Sequence, residues 1–132
     1  MILVDTSVWI DFFRNTCSWE AQRLADAIES DDSIAVCGPI LMEIRQGIAA
    51  DGEVRRVDRF LSPLVYLPTF RKTYGRAADI YRAARAKGKT IRNSIDCLIA
   101  ACALEAHAQL LQRDKDFLVI AEVSKLKLLR SE

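Results

Sequence analysis

A chain of 132 residues with 19 basic and 18 acidic side chains, a net charge of +1 and 51% hydrophobic content describes one globular domain, 1–132, with enough apolar mass for a core. No apolar run reaches the roughly 18 residues that a membrane span needs, and Asp5 interrupts Met1-Ile2-Leu3-Val4 before a signal-peptide apolar region can form, so a cytoplasmic protein without membrane association is expected. The four cysteines form no Cys-x-x-Cys pair and the single histidine leaves no zinc-finger spacing, which points to buried free thiols instead.

Ile2-Leu3-Val4 reads as a short buried strand. Asp5 stops it, and Thr6 or Ser7 offers an N-cap to a helical segment over 8–13. A carboxylate thus stands where a parallel strand hands over to a helix, on the rim where open α/β sheets collect ligands. Ser18 can cap a helix over 19–30, with Ala21, Leu24, Ala25 and Ile28 facing in. Asp31-Asp32-Ser33 is a turn, and Ile34-Ala35-Val36-Cys37 a second buried strand ended by Gly38. Pro39 suits the first turn of a helix over 40–46 that Gly47 closes. Residues 52–61 read as helical, broken by Ser62-Pro63.

Leu64-Val65-Tyr66-Leu67 is a third strand. Thr69 is placed to cap a long helix reaching about residue 87, with Tyr74, Ala77, Ala78, Tyr81 and Ala84 inward and Gly88 at its end. The next helix, over 93–107, is dominated by Ile95, Leu98, Ile99, Ala101, Cys102 and Leu104, and His107 completes its C-terminal end. Gln109-Leu110-Leu111 is a brief strand, Gln112-Arg113-Asp114-Lys115-Asp116-Phe117 a polar turn, and Lys125-Leu126-Lys127-Leu128-Leu129 a last strand. Short apolar strands alternating with longer helices indicate a parallel α/β sheet with helices on both faces.

Several acids stand in apolar company. Glu43 lies within Ile40-Leu41-Met42-Glu43-Ile44, where an exposed helical stripe is its ordinary reading. Asp96 lies in Ser94-Ile95-Asp96-Cys97-Leu98-Ile99-Ala100-Ala101, on a face with Arg92, Asn93, Ala100 and Ala103 that is polar and then small. The helix dipole favours an acid in a first turn by only about 0.3–1 kcal/mol, less than a partly buried, unpaired carboxylate costs. Asp114 and Asp116 follow a strand directly and so share the rim of Asp5, although Asp-x-Asp is also common turn chemistry.

Were these acids to converge, two charges about 4 Å apart would repel by about 4 kcal/mol at an effective dielectric of about 20. Such a cluster calls for a cation, and all-oxygen ligation selects Mg2+ or Mn2+ over zinc. A metal of this kind can supply an attacking water and polarise a phosphoryl oxygen.

Charge is also unevenly spread. Residues 1–70 hold 11 acids and 6 bases, whereas 71–92 hold 8 bases (Arg71, Lys72, Arg76, Arg82, Arg85, Lys87, Lys89, Arg92) and one acid, Asp79. A basic stripe beside acidic regions suits polyanion binding next to a metal site, and equally an ordinary solvated helix face.

Asp5-Thr6-Ser7-Val8-Trp9, Glu43 in a helix after the second strand, Ile95-Asp96-Cys97-Leu98-Ile99-Ala100-Ala101 and Arg113-Asp114-Lys115-Asp116-Phe117, in that order, resemble the PIN-domain pattern. The likeness spans essentially the whole chain and is nearest to the VapC-type toxin ribonucleases of bacterial toxin–antitoxin pairs. It implies a three-layer α/β/α fold around a short parallel sheet. It also implies an acidic pocket built from Asp5, Glu43, Asp96 and either Asp114 or Asp116. In that reading Asp5 and Asp96 bind Mg2+, for which Mn2+ can substitute, and Thr6 and Ser7 supply supporting hydroxyls. Arg85, Lys87, Lys89, Arg92 and Arg113 contact the RNA whose phosphodiester bonds are cleaved. The partners implied are a second copy in a homodimer and a cognate antitoxin that blocks the pocket.

Other acidic-pocket enzymes fit less well. A haloacid dehalogenase wants a second Asp two residues after Asp5, where this chain has Ser7. A response regulator wants paired acids at the first strand's end and a late Lys, and neither is evident. A catalytically inert binding module would be expected to have lost a core acid. A non-toxin RNA-processing nuclease would share every feature of the pocket.

Overall fold

The computed structural model describes residues 1–131. In chain order the elements are β1 (Ile2–Val4), α1 (Thr6–Phe13), α2 (Trp19–Glu29), β2 (Ile34–Cys37), α3 (Gly38–Gln46), α4 (Asp51–Leu61), β3 (Val65–Leu67), α5 (Arg71–Ala86), α6 (Ser94–Glu105), β4 (Gln109–Leu111) and α7 (Lys115–Val123). All pairings are parallel and the strand order is β3-β2-β1-β4. The helices flank this sheet in a single α/β/α domain, as the alternating pattern indicated.

Burial explains the order. Every residue of β1 and β2 is buried, as expected of parallel strands covered on both faces. β3 exposes Val65 and Tyr66 and lies at an edge. Leu3 pairs with Ala35 on one side and Leu110 on the other, so β1 is central. Directly after it, the Trp9 ring is fully buried, 5.7 Å from Phe13 and 6.0 Å from Phe60 between centroids. Such aromatic pairs add about 0.5–1.5 kcal/mol each beyond area burial. They seat α1 and hence fix where β1 ends.

Several expectations need correction. The N-cap of α1 is Asp5 itself, and the hydroxyls of Thr6 and Ser7 are used elsewhere. In α2 the third buried position is Ala27, with Ala25 and Ile28 only partly covered. The cap position of α5 is Phe70, not Thr69, and its N–H donates to Thr73 Oγ1 at 2.9 Å. The inner stripe of α5 is Thr73, Ala77, Ile80 and Ala84, while Tyr74 and Ala78 are exposed. A one-residue slip on a helix with many alanines explains that difference, because alanine marks neither face.

The stretch read as a turn after β4 opens α7, which Asp114 caps by accepting from the Asp116 N–H at 2.9 Å. The expected last strand is reduced to a single bridge, Leu110 to Leu128. Cys17 is exposed, unlike the buried thiols Cys37, Cys97 and Cys102. His107 finishes α6 through its backbone, at φ 54° and with its N–H on Leu104 O. Among the described residues, no helix is long and apolar enough to cross a membrane.

Candidate active site

Because the strands are parallel, the segments that leave their carboxyl ends emerge on one rim. Asp5 leaves β1, Glu43 rides on α3 after β2, and Asp114 and Asp116 follow β4. β2 and β4 flank β1 directly, which brings these segments side by side. The Asp5 N–H donates to Leu111 O at 2.9 Å and locks the β1 and β4 exits together. Asp96 arrives from outside the sheet, in the first turn of α6, which Asn93 caps by accepting from the Ile95 N–H at 3.0 Å.

The acidic group has two sides. On one, the Ser7 hydroxyl donates to Asp5 Oδ2 at 3.0 Å and the Thr6 hydroxyl to Glu43 Oε1 at 2.9 Å. Each of these hydroxyls is thus a donor to an acid. On the other, Asp96, Asp114 and Asp116 each offer a carboxylate oxygen within 4.8 Å of the others'. Asp114 and Asp116, expected as alternatives, both lie within this distance of Asp96. Asp116 is held firmly: its Oδ2 accepts from the Arg92 and Asn93 N–H groups at 3.0 and 3.2 Å. Asp114 is more open, with a side chain 38% exposed.

Burial and like charge leave their mark. Burial, then the charges of Asp5, Asp114, Asp116 and Glu43, push the Asp96 carboxyl from its usual 3.8 up to about 8. Burial pushes Asp5 up to about 6 against the Ser7 hydroxyl, which favours its charged form. Asp96 Oδ2 is buried without a hydrogen-bond partner, a state that natural interiors avoid.

The PIN-domain model matches residues 2–123, nearly the whole chain. The chain belongs to the PIN-domain family. Ribonuclease VapC11 of Mycobacterium tuberculosis is 40% identical to this PIN domain over 129 residues, covering 96% of each chain. A VapC ribonuclease of Mycobacterium bovis matches with the same identity and coverage. Two solved structures share the fold. One is VapBC2 of Rickettsia felis bound to a promoter DNA fragment (TM-score 0.77, 22% identity, all of both chains). The other is FitAcB of Neisseria gonorrhoeae (TM-score 0.76, 23% identity, 98% of this chain and 97% of that one).

The donors of this PIN domain fit a hard divalent cation. They are carboxylates without imidazole or thiolate, they repel one another, and Asp96 Oδ2 lacks a partner within the protein. The tight set is Asp96, Asp114 and Asp116, with Asp5 beside it as the leading neighbouring charge on Asp96. Asp5, expected as a metal ligand together with Asp96, thus lies outside the tight set.

The expected RNA-contacting residues of the PIN domain are scattered in role. Arg92 reaches the cluster directly, with Nη2 3.4 Å from Asp114 Oδ1 and Nε 3.4 Å from Asp116 Oδ1. Lys89 is paired with Glu122, and Arg85 lies over the Tyr81 ring, 5.8 Å from its centroid. Lys87 is the exposed C-cap of α5. Arg113 points away from the cluster, to Asp11 and Glu20. Asp11 was not among the expected site residues, although an acid inside Trp9-Ile10-Asp11-Phe12-Phe13 is a visible signal of a buried partner.

Proposed function

We propose that this protein is a Mg2+-dependent endoribonuclease and the toxin of a toxin–antitoxin pair, held in check by a cognate antitoxin. The observation that carries the reading is Asp96: a buried carboxylate with a partnerless oxygen, facing four further acids at the carboxyl rim of a parallel sheet. The VapC ribonucleases that share 40% of its residues over nearly the full length support the same assignment.

Asp96, Asp114 and Asp116 would hold the ion, with Asp5 adjoining. When bound, Mg2+ supplies a polarised phosphoryl oxygen and a more acidic water, and Mn2+ can do the same. The chain's own groups do the rest. Ser7 keeps Asp5 in one orientation, and Thr6 aims Glu43 from outside the tight set, where it can accept a proton from an attacking water. Arg92, 69% exposed at its side chain and beside the acidic cluster, would meet the RNA backbone next to the scissile bond. Arg85, Lys87 and Lys89 form the approach. The antitoxin would close the pocket by presenting a basic side chain to the carboxylates, a task that suits the fork of an Arg.

A homodimer completes the proposal. Exposed Tyr74, with partly covered Tyr81, Ile95 and Leu98, leaves an apolar strip along α5 and α6 for a second copy. The direct test incubates purified protein with total RNA in Mg2+, Mn2+ or excess chelator. Cleavage that needs the ion and is lost in Asp96→Asn is expected, and equal cleavage in chelator overturns the reading. In cells, expression alone should arrest growth, Asp96→Asn should not, and a small neighbouring gene product should restore growth.

A further inference from the structure

We propose that Arg113 is a positioning residue, which through Asp11 and Glu20 sets the turn that carries Asp114, and does not contact RNA. The inference rests on the reading of the acidic cluster as a nuclease site. Three residues, 112–114, join β4 to α7. At one end, Leu111 O accepts the Asp5 N–H. At the other, Asp114 caps α7 and offers an oxygen to the cluster with Asp96 and Asp116. A shift of this turn would therefore move two carboxylates at once.

Arg113 ties the turn to α1 and α2. Its Nη1 donates to Asp11 Oδ2, and its Nε lies 3.9 Å from Glu20 Oε2. Both acids are well covered, with side chains 13% and 16% exposed. Asp11 is itself braced: the Ser18 hydroxyl donates to Oδ2 at 3.3 Å, and the Thr16 N–H to the Asp11 carbonyl at 2.9 Å. The anchor is thus the junction of α1 with α2. Arg92 grips Asp114 from the other side, so the turn is held between two arginines of different kind. The guanidinium of Arg113 faces two carboxylates that lie outside the acidic cluster, Asp11 and Glu20. Arg92 pairs instead with the cluster acids Asp114 and Asp116, and its side chain is more exposed than that of Arg113, 69% against 42%.

Outer groups that orient metal-binding side chains are worth about 10- to 100-fold in affinity or activity. The test compares Arg113→Ala, Asp11→Asn and their combination, each first shown to be folded by its thermal transition. Mn2+ binding to the ion-free protein is read by titration calorimetry, cleavage as kcat and KM, and the turn directly by hydrogen exchange of the Asp116 amide. Each single variant should lose about 10- to 100-fold in Mn2+ affinity and kcat. KM for RNA should be unchanged, Asp116 amide protection should fall, and the double variant should be no worse than either single one.

Arg113→Lys should recover part of the loss. A raised KM with unaltered Mn2+ affinity and amide protection in Arg113→Ala would make Arg113 an RNA contact and overturn the proposal. Full Mn2+ affinity and full protection in Asp11→Asn would overturn it too. If the unaltered protein neither binds Mn2+ nor cuts RNA, the nuclease reading fails, and the amide protection still decides whether Arg113 sets the turn.

Discussion

Helix α6 carries an acid near each end, and the two have opposite surroundings. Glu105, at the C-terminal end, has its Oε1 bonded at 2.6 Å by the Thr73 hydroxyl, and its Oε2, which accepts no hydrogen bond, is ion-paired 3.5 Å from Arg76 Nε. Asp96, at the N-terminal end, also has an oxygen without a hydrogen bond, but the charges that act on it are four acids. Both sit on the same buried helix in the same domain. The chain neutralises Glu105 from its own residues and leaves Asp96 to be neutralised from outside. That contrast separates a carboxylate that holds structure from one that awaits a cation or a proton.

The largest effect follows from exchanging charge at each end. Asp96→Asn keeps the volume and removes a ligand charge, so RNA cleavage should fall by at least about 100-fold. Glu105→Gln keeps an acceptor for Thr73, and cleavage per folded molecule should stay within about twofold, as for surface changes distant from a site. Rates measured at equal folded concentration decide. Comparable losses at both ends would break the comparison.

The stability of the ion-free protein should report the same asymmetry. Asp96 and Asp5 hold their protons to about 8 and about 6 in the folded state, against the usual 3.8. As pH rises from about 4 to about 8 the folded protein retains protons that the unfolded chain has already released, so stability falls across that window. Asp96→Asn should flatten the decline above about 6. Mg2+ should restore stability at pH 8, by about 2.7 kcal/mol at 100 times its dissociation constant, and do so far less in Asp96→Asn. Chemical denaturation at pH 5 and pH 8, with and without Mg2+, checks both signs, and stability rising with pH would refute them.

How much of this was legible in the sequence follows from the kind of signal each residue leaves. Asp5, Glu43 and Asp96 were visible because an acid interrupts an apolar run, and the parallel topology inferred from strand–helix alternation put the strand-borne acids on one rim. Helix α7 was missed because Asp114-Lys115-Asp116 has turn chemistry. The signal that could have found it is the apolar set Phe117, Ile120 and Val123 at helical spacing behind an Asp cap. The alternation of Lys125-Leu126-Lys127-Leu128 imitated a strand, but local period cannot supply a pairing partner beyond one bridge. The partner of Arg113, 102 positions away at Asp11, belongs to tertiary structure alone.

The smallest effect lies at the Glu105 end and concerns stability alone. Thr73 is fully buried, and its oxygen accepts the Phe70 N–H at 2.9 Å while its hydroxyl proton goes to Glu105. Glu105→Ala strips that proton of its acceptor, and a buried unsatisfied donor costs about 1–3 kcal/mol. Glu105→Gln keeps the acceptor and loses only the charge toward Arg76, whose side chain is 50% exposed, so its cost should not exceed about 1 kcal/mol. Denaturant midpoints of the two variants, with unchanged slopes, give the difference. A cost for Glu105→Gln as large as for Glu105→Ala would show that charge and not the Thr73 bond holds this end. The two acids of α6 would then differ only in the origin of the countercharge.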